Sequence, residues 1–165
     1  MGNDNNNQDL VMALDGIRQA ITAQNILNGI VPYKARIFAT ASTSLPGGDS
    51  KVNLQSKTYD SGDMFDAANS RIKIPVAGLY DIKGCVAIGS AGANHGCQLR
   101  INGVLTTIGD ERNTSAATQQ LRVNDELWLN KGDYVEMFAY NSGGTVNTLT
   151  GSFRTYMSIR IVAIQ

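Results

Sequence analysis

The chain has 165 residues, and its 14 lysine and arginine side chains balance its 14 aspartate and glutamate side chains, so its formal net charge is zero. A chain of this length usually forms one domain with a hydrophobic core, and the charge balance excludes a global attraction to nucleic acid or to an anionic membrane. No apolar run is long enough to span a bilayer, while 17 glycines against 3 prolines favour short strands joined by tight turns.

The first eight residues form a polar segment of low complexity. Residues 1–8 have too little apolar surface to offset the entropy that the segment would lose on ordering. The segment also lacks the basic and then apolar pattern of a secretion signal. We therefore expect it to be an anchor tail that hydrogen-bonds to a partner protein. The predicted anchor residues are Asn3, Asp4, Asn5, Asn6 and Asn7.

Residues 9–28 carry the only convincing helical pattern in the chain. The large apolar side chains step by four, three and four residues, which is the spacing of a coiled-coil seam. A lone helix of this length is marginal in water, and Gly16 weakens it further, so the helix needs partners. We predict a trimeric coiled-coil stalk over residues 9–30; the alternative is an amphipathic helix packed on its own head. The predicted seam consists of Leu10, Leu14, Ile17 and Ile21.

From residue 33 onward the chain shows short strands separated by polar, glycine-rich loops. Apolar side chains that alternate over four to eight residues indicate strands buried on one face. The predicted strands are residues 33–40, 52–59, 72–76, 79–88, 97–101, 104–108, 118–129, 134–140 and 153–164. They predict an all-β head over residues 33–165.

Two motifs in the head carry a family resemblance. They are Pro75-Val76-Ala77-Gly78-Leu79-Tyr80 and Leu129-Asn130-Lys131-Gly132-Asp133-Tyr134-Val135. Together with the closing strand, they resemble the globular head of the complement and tumour-necrosis-factor-like jelly-roll family, over roughly residues 33–164. The resemblance implies an antiparallel jelly-roll sandwich, with Tyr80 as a buried core aromatic. It also implies a homotrimer that binds other molecules and is not an enzyme.

The chain departs from that family at two places. The closing strand reads Phe153-Arg154-Thr155-Tyr156 in place of the usual ending, and no Gly-X-Y collagen stalk precedes the head. A coiled-coil seam stands where collagen would be, and no signal peptide is recognisable. The chain therefore looks more like the short trimeric fibres and spikes of bacteriophage virions.

Some predicted strands have apolar residues on both faces. Residues 134–140 place Val135, Met137 and Ala139 in one row, which we expect to fill the sandwich. The second row needs another cover, either a neighbouring subunit or a loop of the same chain. We favour the neighbouring subunit. The predicted head interface of the trimer consists of Trp128, Tyr134, Phe138 and Tyr140.

The sequence offers little for catalysis or metal binding. The one histidine, His95, lies beside glycine and is predicted to be a surface residue of a loop. The carboxylates of Asp60, Asp63 and Asp66, and the pair Asp110 and Glu111, are compatible with calcium, but neither group fits an EF-hand loop. We interpret them as solvated turn residues. No catalytic, cofactor-binding or metal-binding residue is predicted.

The two cysteines are predicted to stay unpaired. Cys85 shares its strand face with Asp81 and Lys83, whereas Cys97 shares its face with Leu99 and Ile101. One thiol should therefore point outward and the other into the core, which no disulfide can bridge. Two free thiols fit assembly in a reducing cytoplasm.

The sequence as a whole predicts a non-enzymatic structural protein of a bacteriophage virion, assembled in the host cytoplasm. It would be a homotrimeric head fibre, decoration spike or short tail fibre that its N-terminus attaches to a capsid or tail protein. The outward head would bind a host surface glycan or receptor, with no cofactor, nucleic acid or membrane insertion. The alternative is a secreted or surface-exposed lectin-like recognition head. A cupin-type enzyme would need a metal triad that one histidine cannot supply.

Overall fold

One long helix precedes an all-β head. The computed structural model describes residues 4–27, 33–89, 92–113 and 116–164. The helix is α1 (Asp4–Leu27). The strands are β1 (Lys34–Phe38), β2 (Ser44–Leu45), β3 (Gly48–Lys51), β4 (Ser56–Ser61), β5 (Phe65–Asp66), β6 (Arg71–Lys73), β7 (Gly78–Ile88), β8 (Asn94–Ile101), β9 (Val104–Asn113), β10 (Gln119–Leu129), β11 (Tyr134–Asn141), β12 (Val146–Asn147) and β13 (Tyr156–Ile164).

The strands form two facing antiparallel sheets. One has the order β10-β7-β13-β1-β4, and the other has the order β5-β6-β11-β8-β9, with β3 added alongside β11. A small pair, β12 and β2, lies apart from them. The antiparallel jelly-roll sandwich and the preceding helix are therefore confirmed as the fold of the chain.

Alternate residues of each long strand fill the space between the sheets. Tyr80, Ile82 and Val86 of β7 face Leu99 and Met137 of the other sheet, and all five are buried. The Tyr80 hydroxyl donates a hydrogen bond to the Val76 carbonyl oxygen at 2.8 Å, which satisfies the polar end of this core side chain. The predicted role of Tyr80 as a buried core aromatic is confirmed.

The edge strands β9 and β10 close one flank of the sandwich. They approach so closely at Gly109 that a Cβ atom there would lie 2.2 Å from the Arg122 carbonyl oxygen. Polar bonds accompany this approach: the Thr107 hydroxyl donates to the Asp125 carboxylate at 2.5 Å, and the Arg122 amide donates to the Asp110 carboxylate at 3.1 Å. Only glycine fits where two backbones come this near.

The helix begins earlier than the sequence pattern indicates. It starts at Asp4, so residues 4–8 belong to the helix and not to an extended tail. The first turn of a helix has unpaired N–H groups and a positive dipole end, which polar and acidic side chains complement. The predicted helix end beyond residue 27 lies outside the described residues.

His95 is not the surface histidine that the sequence predicts. Strand β8 begins at Asn94, so His95 follows the same alternation as Cys97 and Leu99, and its side chain is fully buried. The neighbouring glycines led to the wrong prediction of a loop. The period-two spacing of His95 with the two apolar residues that follow was the available signal.

The cysteines are unpaired, as predicted, but both are buried. Cys97 belongs to the core cluster, whereas Cys85 lies on the outer face of β7. The two thiols therefore point to opposite faces, as their phase predicts, but the outward-facing Cys85 is buried as well. In the ladders, Arg122 and Tyr156 flank Cys85 on the same face, and the Arg36 guanidinium lies 3.7 Å from the centre of the Tyr156 ring. These large side chains cover the thiol, and burial raises its pKa.

Candidate functional site

The most conspicuous unpartnered feature is the apolar seam of the helix. Leu10 and Leu14 are 59% and 48% exposed, and Ile17 and Ile21 are both 56% exposed. Residues spaced by four, three and four lie on one stripe of a helix. Four large apolar side chains in one stripe, each about half exposed, make a surface that a partner is expected to cover.

The helix leans on its own head with its polar side. Thr22 is buried, and Asp15, Gln19 and Thr22 share a cleft of about 400 Å³ with Pro75 and Lys131 at the base of the head. Adjacent residues differ by about 100° around a helix, so Ile21 points well away from the cleft that Thr22 faces. A helix that packed on its own head for hydrophobic reasons would turn the seam inward. The seam is therefore available for another chain.

The predicted anchor residues lie in the first turns of this helix. Asn3 is outside the described residues, while Asp4, Asn5, Asn6 and Asn7 are helical. They sit at the end of α1 that is remote from the head. Their role in attachment stays a prediction, but in the described residues it would be exerted by a helical segment.

The structure does not bring the four predicted head-interface aromatics together. Trp128 lies on β10, on the outer face of the five-stranded arrangement, and is 57% exposed. Tyr134, Phe138 and Tyr140 lie on β11, in the other sheet, and each is half-buried. The two groups face opposite sides of the sandwich. One flat patch cannot contain all four.

Two of the β11 aromatics have a cover within the chain. The Arg71 guanidinium lies 4.3 Å from the centre of the Tyr134 ring, and the Arg100 guanidinium lies 4.0 Å from that of Phe138. Ion pairs hold both arginines in place: Arg71 with Asp66 at 2.9 Å and Arg100 with Asp49 at 2.6 Å. Stacked cations shield the rings from water. The rings remain partly exposed, and a neighbouring subunit as their further cover stays a prediction.

An exposed apolar strip on β9 was missed by the sequence analysis. Val104, Leu105 and Ile108 are 68%, 44% and 58% exposed. Their strand lies at the edge of its sheet. The available signal was the adjacent pair Val104 and Leu105, because two neighbouring apolar residues in a strand point to opposite faces and only one face can meet the core. Leu105 and Ile108 pair with Arg100 and Gln98 and lie on the outer face, whereas Val104 pairs with Ile101 at the start of the strand. We call these three residues the flank strip.

Asp60 and Asp66 are not the solvated turn residues that the sequence predicts: they lie in β4 and β5, their side chains are 0% and 9% exposed, and other groups of the chain bond to them. Burial alone would raise the pKa of Asp60, but hydrogen bonds from the Met64 amide and Lys57 outweigh this and lower it. Hydrogen bonds from Asn69, and then from Arg71 and Lys73, hold the pKa of Asp66 well below its ordinary value. Among the described residues, no three histidine, cysteine or acidic side chains cluster as a metal site would require.

Within the described residues, α1 does not combine the length and the apolar content that a membrane-spanning helix needs.

Comparison with solved structures identifies proteins of the same fold, whereas comparison with family models and with curated proteins finds no match. No family model matches the chain, and no curated protein matches it. Among solved structures, murine APRIL superimposes with a TM-score of 0.63 at 12% identity, covering 78% of this chain and 98% of that structure. Eiger TNF from S. frugiperda gives 0.64 at 10% identity, with 81% and 95% coverage. The globular domain of zebrafish complement 1qA gives 0.61 at 13% identity, with 81% and 99% coverage. The head thus has the jelly-roll fold that these structures share.

Proposed function

We propose that this chain is a non-enzymatic structural protein of a bacteriophage virion. It acts as a homotrimeric head fibre, decoration spike or short tail fibre. Its N-terminal helix joins the particle, and its head faces outward. The observation that carries the proposal is the seam of Leu10, Leu14, Ile17 and Ile21, which is exposed although the polar side of the same helix faces the head.

The free energy gained by burying the seam is too small to hold three chains together unless contacts between the heads also contribute. Covering a half-exposed leucine or isoleucine contributes about 1 kcal/mol, so twelve such side chains in three chains contribute about 12 kcal/mol. Bringing three chains together costs about 4–15 kcal/mol for each association in lost freedom. Two associations join three chains, so the total cost is about 8–30 kcal/mol, and the seam alone offsets it only at the low end of that range. The flank strip and Trp128 supply further apolar surface on the heads.

One further observation and one geometric consequence of the proposed trimer support the virion setting. The buried thiols of Cys85 and Cys97 are unpaired, which fits assembly in a reducing cytoplasm. Three parallel helices also place all the N-termini at one end and all the heads at the other, so three weak attachment contacts act together. A protein with these properties suits a symmetric particle better than a soluble enzyme.

The trimer is tested by light scattering on the full chain. We expect a mass about three times the 17.7 kDa of one chain. Ile17→Asp places three carboxylates on the seam axis, where desolvation and repulsion oppose assembly, so this variant should be monomeric. Gly16→Asp is the control, because a side chain at Gly16 meets nothing within 4 Å and points away from the seam. A monomeric wild-type chain at micromolar concentration would refute the proposal.

The attachment is tested on particles. An antibody against the head, used in electron microscopy of particles from a lysate of cells carrying the gene, should label the wild-type particle at regular positions. Deletion of residues 2–8 should leave a folded trimer that no longer labels the particle. If the truncated chain is incorporated at wild-type occupancy, the anchor lies elsewhere. If the chain is found only in the medium or on the cell surface, the lectin-like alternative is favoured.

A further inference from the structure

A pocket of about 500 Å³ opens where β9 and β10 separate. The ladders place it at the end of the head opposite the stalk. Lys34, where the first strand begins after the helix, aligns through Arg160 and Asp81 with Glu126 of β10. Gln119 in the pocket wall is seven residues farther along that strand, or roughly 23 Å away. The pocket therefore lies at the apex, the part of a stalked head that meets another surface first.

The described residues that line the pocket carry mostly polar side chains, and none of them is a carboxylate. Apart from one alanine methyl group, every lining side chain carries a hydrogen-bonding amide, hydroxyl or guanidinium group. Sites for apolar ligands are lined mainly by hydrophobic and aromatic side chains, so this pocket suits an oxygen-rich ligand. The lining residues are Arg112, Asn113, Ala116, Thr118, Gln119 and Gln120.

Arg112 is held in position at the edge of this pocket. Its Nη2 donates to the Asp110 carboxylate at 2.8 Å, and the same carboxylate accepts the Arg122 amide at 3.1 Å. Burial alone would raise the pKa of Asp110, but these bonds outweigh it and lower the pKa, so the carboxylate stays charged at neutral pH. A guanidinium has five N–H donors, and the bond to Asp110 uses one of them. The rest of the planar fork can meet a carboxylate or paired hydroxyl groups.

A buried polar side chain without a partner adjoins Arg112. His95 is directly opposite Arg112 in the β8–β9 ladder, and opposite residues of an antiparallel pair lie on the same face within about 5.5 Å at Cβ. His95 is fully buried, and within the described part of the chain neither ring nitrogen has a hydrogen-bond partner. Such a group costs free energy. His95 is not itself a lining residue of the pocket, but it lies behind Arg112 as a polar side chain that the described chain leaves without a partner.

We propose that the apical pocket binds a saccharide unit of a cell-surface polysaccharide. Side-chain amides of Asn113 and Gln120 pair with sugar hydroxyls, and Arg112 faces the carboxylate of an acidic sugar. The pocket lies within the range of roughly 300–1,000 Å³ typical of small-ligand sites. The inference gives a ligand to the outward head of the proposed function, and it rests on that proposal for the orientation of the head.

The test measures binding of the full chain to a panel of defined oligosaccharides, one arm neutral and one arm containing uronic acids. We expect the uronic arm to bind more tightly. Arg112→Ala and Gln120→Ala should each weaken the best binder roughly tenfold, which corresponds to about 1.4 kcal/mol. Arg112→Lys keeps the charge but loses the fork, so it should also weaken binding. Because Arg112→Lys keeps the charge, weaker binding by this variant indicates loss of specific recognition. Circular dichroism checks that each variant is still folded.

The matched control is Arg154→Ala, because Arg154 is an exposed arginine that lies outside the pocket and stacks on Phe153 at 5.5 Å. Unchanged binding in this variant, with loss in the Arg112 variants, supports the site. Failure of both arms to bind, or unchanged binding by Arg112→Ala, overturns it. These outcomes are independent of the proposed function: a chain that binds saccharides but is monomeric or absent from particles would refute the virion proposal and leave the pocket standing.

Discussion

Gly109 shows how one residue fixes the closed flank of the sandwich. An added Cβ would meet the Arg122 carbonyl oxygen at 2.2 Å and the Val123 Cα at 2.7 Å, both backbone atoms of β10. Backbone cannot move aside as a flexible side chain can. We therefore expect Gly109→Ala to lower the free energy of unfolding by about 1–3 kcal/mol, measured by denaturant titration. Gly144→Ala is the control, since nothing lies within 4 Å of its added Cβ. Equal stability of the two variants would contradict the close approach of β9 and β10.

Asp66 gives the stability a defined dependence on pH. Its side chain is 9% exposed and accepts from Asn69 at 3.0 Å, Arg71 at 2.9 Å and Lys73 at 3.1 Å. Because its folded pKa lies below the ordinary value of 3.8, the ionised carboxylate stabilises the fold fully above about pH 4. That contribution is lost as the pH falls toward the folded pKa.

We therefore expect Asp66→Asn to melt at a lower temperature than the wild type at pH 7. The difference should shrink as the pH falls below about 4, because protonation then removes the same bonds from the wild type. Thermal melts from pH 7 to pH 2 measure this. Asp63→Asn serves as the control, since Asp63 is an exposed aspartate three residues earlier, in the connection between β4 and β5. A difference that does not change with pH would mean that Asp66 acts through packing alone.

Among the secondary-structure elements, helix α1 is destabilised by an internal glycine that a substitution can replace. Gly16 lies in the middle of α1 and an added Cβ would meet nothing within 4 Å. Glycine inside a helix costs about 0.5–1 kcal/mol relative to alanine. Gly16→Ala should therefore raise the thermal midpoint of the stalk, followed by circular dichroism. The reciprocal change Ala20→Gly, at another exposed helical position, should lower it by a similar amount. A rise in both variants would show that helix propensity does not limit the stalk.

Elements with a strong local pattern could be predicted from the sequence. Residues 79–88 and 118–129 alternate clearly, and the observed β7 and β10 begin within one residue of these bounds. Strand β3 was predicted as loop, because Gly48–Lys51 is polar and forms a strand only by pairing with β11. The end of β9 was missed for the same reason. Pairing between distant segments is not encoded in local alternation.

The candidate site also has one part that could be predicted from local sequence and other parts that could not. The seam of α1 could be predicted from the sequence, because the spacing of its apolar residues is a property of one helix. The arginines that stack on Tyr134 and Phe138 could not be predicted, because the pairing of strands within the sheet brings them from β6 and β8. The apical pocket likewise arises where two strands separate, which no short stretch of sequence reveals.

At the scale of the whole molecule, a three-fold ring needs two different patches on each subunit, since each contact is heterologous. Trp128 and the flank strip lie on the neighbouring strands β10 and β9 and supply exposed apolar surface for one such patch. We expect Trp128→Gln and Ile108→Gln each to raise, by roughly tenfold, the protein concentration at which the trimer dissociates. Analytical ultracentrifugation across a dilution series measures this.

Phe153→Gln is the control for both variants. Phe153 is 70% exposed, but it lies in the loop before β13, away from the flank strip. Its removal should leave the dissociation concentration unchanged. If all three variants behave like the wild type, the heads do not contribute to assembly and the stalk must carry it alone.

The place of β13 in its sheet bears on how the protein is made. It is the last strand in chain order, yet it pairs with both β1 and β7 in the middle of the sheet. The head therefore cannot close until a ribosome has translated Tyr156–Ile164. The end of α1 at Leu27 is translated well over a hundred residues earlier, which at about 5–20 residues per second is roughly ten seconds. Nascent chains on one messenger thus expose their seams to each other while their heads are still open, so a trimeric stalk would form first and the heads would fold already tethered.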